Sequence, residues 1–580
     1  MRLSDYVIKY LKDNYQVDTI FTVSGGGCIF LVDSLTNIGG VNYIATHHEQ
    51  AAAIAAEGYS RMHNKLGACI VTSGPGGTNA ITGVLGAWVD SIPMIVITGQ
   101  VNKEMTTNYN NLYNLRQLGD QEFNIIETVK HMTKYAVQVN DPEDIKYHLD
   151  TACKLATSQR PGPVWLDIPL NVQSAIINPD KLVGNDLVKD TEQVKCADNI
   201  LDRVAEELSK SKKPLLIVGN GIRLSGGIDQ LKKFISKIKI PVISAVNGND
   251  LINDDYEGYA GRFGTHAQIC ANNLISEADL VLSIGSRLYV RQTGYNFKGF
   301  AENACKIYVD VDINELNKPT LYPDIPVHSD AKFFLEQMID RDINIIDKEW
   351  LNYCSNKYKE TPTVLQRHRD KKDFVSHYHF VETLGPLLKP TDHVVTSDGT
   401  ANVATMQVLK LKGDQRLITN TGNAPMGYGL PAAIGAASTK IPVVCIEGDG
   451  SLHLNVHELQ TVKHYNLPIK IILFNNDGYT SIKISQKAFF NGKFVASEKN
   501  SGVSFPNFKK LINAYDLKYM SIENHSLMKD ILKQFLSLEG PAVLEVFTDP
   551  EEFHEPKVVA KLGSDGKFIP GNLQDIKWIQ

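Results

Sequence analysis

Two segments near the carboxyl end of the chain carry oxygen-bearing side chains that suit a divalent cation. The apolar run 442–446 leads to the sequence Gly-Asp-Gly around Asp449, and 24 residues separate it from an asparagine pair that includes Asn476. Carboxylate and amide oxygens are ligands of Mg²⁺, which usually takes its remaining ligands from phosphate and water. The flanking glycines let phosphate oxygens approach backbone N–H groups at a helix start. A tight turn with an unrelated asparagine pair is the alternative, which the spacing and the sequence NNDGY at 475–479 disfavour.

A glycine-spaced loop precedes this pair of segments. Residues 422–437 read GNAPMGYGLPAAIGAA, a loop that enters an alanine-rich helix. Small residues permit close backbone approach, and Met426 would present an adaptable apolar side chain to a molecule lying over the loop. The alternative is a helix with a core methionine and packing glycines.

A single acid stands out in the amino-terminal part of the chain. Glu49 lies at the start of the predicted helix in THHEQAAAIAAEGYSR (46–61), and the glycine-rich loops SGGGC (24–28) and TSGPGGTNA (72–80) belong to the same unit. An acid near a helix start is common because it complements the helix dipole. A carboxyl group enclosed by such loops would instead have a raised pKa and would share a proton with a ring nitrogen.

Ten short apolar, β-branched runs must position these side chains, and each is closed by Gly, Pro, Asp or Asn. They are 68–72, 93–98, 163–168, 214–218, 241–246, 279–284, 306–311, 442–446, 469–474 and 541–547. Near-continuous apolarity is typical of strands that are covered on both faces. Helix-length segments such as 49–62 and 76–90 lie between them, so the pattern predicts an α/β fold of doubly wound parallel sheets.

Composition limits the classes of function. The 580 residues are 43% hydrophobic and 21% charged, with a net charge of −6, which is typical of a globular protein of about three or four domains. That charge argues against nucleic acid or an anionic membrane as the main partner. The eight cysteines show no zinc pattern, and no apolar run approaches the roughly 20 residues that span a bilayer. Residues 1–15 predict an amphipathic helix rather than a signal peptide, so we expect a cytoplasmic protein.

Two polar, charge-rich stretches interrupt the alternation and are the predicted linkers. They cover about 172–212 and about 340–378. The predicted units are therefore 1–180, 195–340 and 375–550, followed by a tail, 551–580.

Several motifs in a fixed order resemble those of the thiamine diphosphate enzymes of the acetolactate synthase type. They are the Gly-Asp-Gly and Asn-Asn pair, MGYGLPAAIG (426–435), HEQAA (48–52), and TSGPGGTN (72–79) followed by DSIPMIVITGQ (90–100). The resemblance covers essentially the whole chain. It implies a pyrimidine-binding domain, a central Rossmann-like domain and a diphosphate-binding domain, in that order. It also implies a homodimer or homotetramer in which each active site lies between two subunits.

The resemblance assigns roles to individual residues. Asp449, Asn476 and the carbonyl of Gly478 match the Mg²⁺ ligands. The positions that match diphosphate contacts are Gly399, Thr400, Gly450 and Ser451. Met426 matches the residue that holds the cofactor bent, and the Ala424 carbonyl matches the acceptor for its amino group. Glu49 matches the carboxyl that bonds the pyrimidine ring and activates the cofactor for attack on a 2-oxo acid such as pyruvate.

The substrate positions depart from the acetolactate synthase pattern. Gln121 matches a glutamine that faces the reacting carbon, or else is a surface amide on a mobile loop. Asp120 stands where those enzymes commonly have Phe, and Ser485 stands where they have a Trp that favours 2-oxobutyrate. These departures, with VSGGGC (23–28) and the tail 553–575, look more like relatives associated with surface polysaccharide genes, some of which transfer two carbons to a nucleotide-linked keto sugar.

Other functions remain open at this point. Simple 2-oxo acid decarboxylation and a flavin-linked pyruvate oxidase are alternatives within the enzymes. A non-catalytic binding or regulatory homologue is the alternative from another class, and the joint presence of Glu49, Met426, Asp449 and Asn476 speaks against it.

The central unit gives a mixed signal for FAD. VGNGIRLSGG (218–227) fails the dinucleotide fingerprint because Leu224 occupies the third glycine position. The segments GRFGTH (261–266), GSRLYVRQTG (285–294) and YVDVD (308–312) nevertheless align with those that hold FAD in acetolactate synthases. Arg287 and Arg291 are kept, whereas Tyr289 and Val290 replace the usual Asp pair. Because Arg suits pyrophosphate, a non-redox FAD is expected; a vestigial domain with surface arginines is the alternative.

Overall fold

The computed structural model describes residues 1–186, 193–344, 348–562 and 568–579. Within them lie three six-stranded sheets in which every strand pairing is parallel, each with helices packed against it. The α/β class and the three doubly wound sheets are therefore confirmed. All ten predicted runs form strands, because each is buried on both faces and β-branched.

The first sheet has the strand order β2-β1-β3-β4-β6-β5. Its strands are β1 (Thr19–Thr22), β2 (Asn42–Ala45), β3 (Gly67–Val71), β4 (Met94–Gln100), β5 (Ala136–Gln138) and β6 (Pro163–Pro169). The helices of this unit are α1 (Leu3–Tyr15), α2 (Ile29–Asn37), α3 (Glu49–His63), α4 (Pro75–Asp90), α5 (Ile125–Val129), α6 (Ile145–Thr157) and α7 (Leu170–Gln173).

The second sheet has the order β12-β11-β10-β7-β8-β9, which is the strand order of dinucleotide-binding folds. Its strands are β7 (Pro214–Val218), β8 (Val242–Ser244), β9 (Tyr259–Arg262), β10 (Leu280–Ile284), β11 (Cys305–Asp310) and β12 (Ile325–His328). The helices from here to the third sheet are α8 (Asp198–Lys210), α9 (Gly221–Leu224), α10 (Ile228–Ile238), α11 (Ile269–Glu277), α12 (Val290–Thr293), α13 (Ile313–Leu316), α14 (Ala331–Asp340), α15 (Lys348–Glu360) and α16 (Gln366–Arg369).

The third sheet repeats the topology of the first, with the order β14-β13-β15-β16-β18-β17. Its strands are β13 (His393–Thr396), β14 (Leu417–Ile418), β15 (Val443–Gly448), β16 (Ile469–Asn475), β17 (Lys518–Ile522) and β18 (Ala542–Phe547). Its helices are α17 (His377–Leu387), α18 (Thr400–Val408), α19 (Gly429–Ala437), α20 (Asp449–Leu454), α21 (Glu458–His464), α22 (Thr480–Phe489), α23 (Phe508–Ala514) and α24 (Met528–Ser537). Two short strands in the tail, β19 (Lys561–Leu562) and β20 (Phe568–Ile569), pair antiparallel.

The stretches predicted as linkers contain helices. The stretch 340–378 holds α15, whose Trp350 and Cys354 join the core of the second unit, and Trp350 Nε1 donates to the carbonyl of Pro214 at 2.9 Å. The stretch 172–212 holds α8, which also contributes to that core. The tail beyond 550 is anchored too, since Leu573 belongs to the same core. The sequence analysis did not predict these helices, because only one narrow face of each is buried and the remaining residues are charge-rich.

Alternate residues of a strand enter different cores. In β4, Met94 and Val96 join a core formed with α3, α4 and α19, while Ile95 and Ile97 join a core with α1 and α6. The first of these cores also contains alternate residues of β15 and β16. The first and third units are therefore joined through one continuous apolar core.

Helices α3 and α19 cross inside that shared core at very close range. A β-carbon added at Gly435 would lie 1.9 Å from the carbonyl oxygen of Ala55, and one added at Gly58 would lie 2.5 Å from that of Ala432. Ala55 comes before Gly58 in α3, but its partner Gly435 comes after Ala432 in α19, so the two helices run antiparallel. No described helix is long and apolar enough to cross a bilayer.

We expect Gly435→Ala to destabilise the protein. The added methyl group collides with the α3 backbone, and overpacking costs about 1–3 kcal/mol, more than the roughly 1 kcal/mol gained in helix propensity. Thermal unfolding followed by circular dichroism should show a midpoint lower by about 1–2 °C, since each kcal/mol shifts the midpoint of a chain of this size by about 1 °C. The control is Gly39→Ala, where an added β-carbon meets nothing within 4 Å. An unchanged or higher midpoint for Gly435→Ala would refute the close crossing.

Candidate active site

The two loops predicted to bind a cation meet at the carboxyl edge of the third sheet. Asp449 is buried and directly follows β15; its Oδ1 accepts the N–H of Gly450 at 2.7 Å. Its Oδ2 accepts the N–H groups of Asn476 at 3.0 Å and Gly478 at 3.4 Å. Burial raises the pKa of Asp449 to about 7, although these N–H groups act in the opposite direction. The loops meet because β15 and β16 are neighbouring parallel strands.

The side chain of Asn476 fits a cation ligand. Its Oδ1 atom is buried and has no hydrogen-bond partner among the described residues. A buried amide oxygen without a hydrogen-bond partner destabilises the folded protein, and binding a ligand to that oxygen would remove this cost. A carboxylate and an amide oxygen suit Mg²⁺.

Residues 422–428, called here the methionine loop, lie directly over this edge of the sheet. Met426 is 36% exposed, and a β-carbon added at Gly450 would lie 3.2 Å from its methyl group. The N–H of Gly427 donates to Ser451 Oγ at 2.9 Å, which holds the loop on α20. Ala424 has a φ of 50°, a left-handed conformation that is uncommon for alanine. Strained backbone of this kind is concentrated at active sites and ligand-binding sites.

The start of α18 carries two further predicted site residues. Gly399 precedes the helix with a φ of 69°, and Thr400 is its first residue. Thr400 Oγ1 is 2.8 Å from Nε2 of His554, a tail residue 154 positions away. Burial lowers the pKa of His554 well below its ordinary value, so the imidazole is neutral. Sequence reasoning missed His554, because only folding brings the tail to this helix.

The amino-terminal site residues form a separate group at the carboxyl edge of the first sheet. Glu49 Oε2 accepts a hydrogen bond from Asn79 Nδ2 of α4 at 2.9 Å. Gln121 is exposed with a φ of 56°, and a β-carbon added at Gly74 would lie 2.5 Å from its carbonyl oxygen. The structure therefore places Glu49, the first residue of α3, and Gln121, which is on a loop, at the same edge of the sheet.

The two groups are far apart within one chain. From the crossing at Ala55 and Gly435, Glu49 lies six residues back along α3, and Gly429 lies six residues back along α19. The helices are antiparallel, so these distances add, and twelve residues at 1.5 Å per residue give about 18 Å. Met426 precedes Gly429, outside the helix. One chain therefore presents two half-sites rather than one enclosed site.

Three family models match the chain in the order of its units. The thiamine pyrophosphate enzyme N-terminal TPP binding domain matches residues 1–127, the central domain 201–338, and the C-terminal TPP binding domain 398–546. The chain belongs to the thiamine pyrophosphate enzymes. Thiamine diphosphate as the cofactor is therefore confirmed.

Full-length relatives refine the position of this thiamine pyrophosphate enzyme within the family. The acetolactate synthase large subunit of Lactococcus lactis subsp. lactis (strain IL1403) is 32% identical over 97% of this chain and 95% of its own length. The acetolactate synthase isozyme 2 large subunit of Escherichia coli (strain K12) is 32% identical over 92% and 94%. The chain is a thiamine diphosphate-dependent enzyme of the acetolactate synthase type, as its motifs indicate.

Two further buried carboxyl groups of this thiamine pyrophosphate enzyme were not identified from the sequence. Glu458 Oε1 accepts the N–H groups of His47 and His48, at 2.9 and 3.1 Å, and so ties the residues before Glu49 to α21. Glu447 Oε1 accepts the N–H of Leu430 at 2.6 Å, which fixes the start of α19. Burial raises the pKa of both groups to about 7. An acid within an otherwise apolar strand, as in VVCIEG, is a signal that could have identified Glu447.

Replacing the buried carboxyl group of Asp449 should weaken cation binding. We expect Asp449→Asn to weaken Mg²⁺-dependent binding of thiamine diphosphate by about 100-fold or more, because loss even of outer-shell partners costs about 10- to 100-fold. Isothermal titration calorimetry measures this. The matched control is Asp477→Asn, an exposed acid in the neighbouring loop whose φ of 52° asparagine tolerates. Equal affinities for Asp449→Asn and the unaltered protein would remove Asp449 from the site.

Proposed function

We propose that this protein decarboxylates pyruvate or a similar 2-oxo acid and joins the remaining two-carbon unit to a carbonyl acceptor. The observation that carries the proposal is the buried Asp449 beside the unpartnered Asn476 oxygen, beneath a loop that exposes Met426. The relatives named acetolactate synthase support the reaction type.

The carboxyl-terminal half-site would hold the charged end of the cofactor. Asp449, Asn476 Oδ1 and the carbonyl of Gly478 are the proposed ligands of Mg²⁺. The proposed diphosphate contacts are Gly399, Thr400, Gly450 and Ser451. Support comes from the start of α18, where N–H groups without intrahelical partners favour an anion. His554 would fix the orientation of the Thr400 hydroxyl.

The aromatic end of the cofactor would lie between Met426 and Glu49. When bound, thiamine diphosphate supplies a cationic ring that accepts the electron pair released with CO₂. Met426 would hold the molecule bent, and the carbonyl of Ala424 would accept a hydrogen bond from its amino group. Glu49 would exchange a proton with the pyrimidine ring nitrogen, and Asn79 supports this role because it holds one carboxyl oxygen in a defined direction.

A second copy of the chain would complete each active site. The separation of about 18 Å along the crossing helices keeps Glu49 of one chain away from its own Met426 loop. In a two-fold dimer, each glutamate would face the loop of the partner subunit, and two identical sites would form. A homodimer is thus the smallest active unit proposed, and a homotetramer would contain two such pairs.

The acceptor pocket is proposed to be wider than that of an acetolactate synthase. Ser485 lies exposed on α22, with its hydroxyl bonded to the carbonyl of Ser481 at 3.1 Å. No large side chain fills that position, so transfer to a nucleotide-linked keto sugar is a second candidate reaction. Gln121 is the proposed polar contact to the reacting carbon, and its exposure on the loop leaves it free to turn toward a substrate.

FAD is not part of this proposal, because the two arginines expected to hold it lie in different clefts and each already lies 3.6 Å from an acid of the chain, Arg287 from Asp90 and Arg291 from Asp398. A cytoplasmic location is proposed, with support from the eight cysteines, all of which are free thiols.

Glu49→Gln should retain cofactor binding and lose turnover by about 100-fold or more, because an amide cannot relay the proton. Mass spectrometry would follow CO₂ release and carbon–carbon products from pyruvate, alone or with 2-oxobutyrate or a nucleotide-linked keto sugar. Glu143→Gln, an exposed acid of the same unit, is the control. Wild-type rates in Glu49→Gln would remove Glu49 from the mechanism. Acetaldehyde as the sole product of the unaltered protein would instead identify a simple decarboxylase.

Subunit mixing tests the shared site. Glu49→Gln and Asp449→Asn chains, each inactive alone, should recover about one quarter of wild-type activity when co-expressed. The reason is that half of the randomly formed dimers would contain one site with both native residues. Co-expression of two differently tagged Glu49→Gln chains is the control and should stay inactive. If the mixed preparation is as inactive as this control, the two residues act within one chain.

A further inference from the structure

The second unit has the architecture of a dinucleotide-binding domain. In its strand order, the strands that follow β7 extend to one side of it and β10 lies on the other side. A crevice is expected at this switch point, between the carboxyl ends of β7 and β10. This crevice, called here the nucleotide crevice, is partly open to solvent and is lined by Gly221, Gly285 and Asp310 among others. The fold alone therefore predicts an extended dinucleotide.

The two arginine side chains of the crevice already contact other groups of the chain. Arg160 Nη1 lies 2.7 Å from Asp312 and 2.9 Å from Glu315. Arg287 lies 3.6 Å from the buried Asp90, and its Nη1 donates to the carbonyl of Val89. Pyrophosphate needs a guanidinium whose donors are available. Both arginines of the crevice instead neutralise acids of the chain.

Tyr289 stands at the end of the crevice. Its side chain lines both the nucleotide crevice and a second cleft, which contains Arg291 but not Arg287. Its hydroxyl donates to Thr421 Oγ1 of the third unit at 2.8 Å, and Thr421 Oγ1 donates to Asn247 at 3.1 Å. The Arg287 guanidinium lies 4.5 Å from the centre of the Tyr289 ring. A molecule reaching both arginines would have to displace this side chain.

The same residues link the three units. Arg287 joins the second unit to Asp90 of the first, and Tyr289 joins it to Thr421 of the third. We infer that this interdomain brace, formed by Asp90, Arg287, Tyr289 and Thr421, occupies the path of a flavin dinucleotide, so that the protein binds no FAD and uses the brace in its place.

The brace also positions the methionine loop. Thr421 immediately precedes residues 422–428, and the other end of that loop, Tyr428, donates to Glu57 at 2.7 Å. Arg61 lies 2.6 Å from Glu57 and 2.8 Å from Asp90. Since Asp90 also pairs with Arg287, these contacts connect Tyr428 to the brace. Tyr289 is therefore a positioning residue for the loop that carries Ala424 and Met426.

The first test is independent of catalysis. Purified protein should show no flavin absorption near 450 nm, and added FAD should leave its thermal midpoint unchanged. Flavin bound one per chain, or a clear rise of the midpoint with FAD, would overturn the inference. These measurements stand whether or not the proposed reaction is correct.

The second test concerns the brace. Tyr289→Phe removes only the hydroxyl, and we expect the KM for thiamine diphosphate to rise about three- to tenfold with little change in kcat. Tyr295→Phe, a tyrosine that is 72% exposed nearby, is the control. Thr421→Ser keeps a hydroxyl and should remain near wild type, whereas Thr421→Val should resemble Tyr289→Phe. Wild-type cofactor KM in both Tyr289→Phe and Thr421→Val would overturn the positioning role.

Discussion

The antiparallel crossing of α3 and α19 is the constraint on which the site depends. Backbones meet directly at Gly58 and Gly435, so neither helix can slide or rotate without a collision. Each helix leaves the carboxyl edge of its own sheet, and the two sheets share one strand order. The crossing therefore relates two similar units by an approximate two-fold axis and directs their loop edges apart. In the proposed mechanism, a cofactor that contacts both edges would therefore lie between two copies of the chain, and helix packing alone imposes this requirement.

Beneath the methionine loop, the fold buries a charged group of side chains that an apolar core would not need. Arg61, Glu57 and Asp90 are almost completely buried, and Tyr428 adds a neutral donor to them. Ion pairs in such surroundings gain little net stability because desolvation offsets their attraction. Their contribution here is geometric. The partners come from α3, from α4 and from the loop itself, so these contacts favour one position of the loop relative to the two helices.

The sequence predicts the central parts of this architecture better than its edges. Strands buried on both faces, such as β4 and β15, are visible as apolar runs, whereas the edge strand β2 is mostly exposed and β14 has two residues. In the site, Asp449 and Asn476 could be paired because adjacent strands carry them. His554 could not, since its partner Thr400 is 154 residues away. The replacement of an acid by Tyr289 was visible in the sequence, but its hydrogen bond to the third unit required the three-dimensional structure.

The carboxylate at the centre of the site also couples ligand binding to folding. Burial raises the pKa of Asp449 from 3.8 to about 7, so between these values the folded chain holds a proton that the unfolded chain has released. The stability associated with this proton is fully present below about pH 4 and is lost as the pH rises through about 7. The proposed Mg²⁺, bound only to the folded chain, would offset this loss, because it would stabilise the ionised form of Asp449 and would contact the unpartnered oxygen of Asn476. Ligand binding would thus supply the stabilising contacts that the described residues do not make to the carboxyl group of Asp449 and the amide oxygen of Asn476.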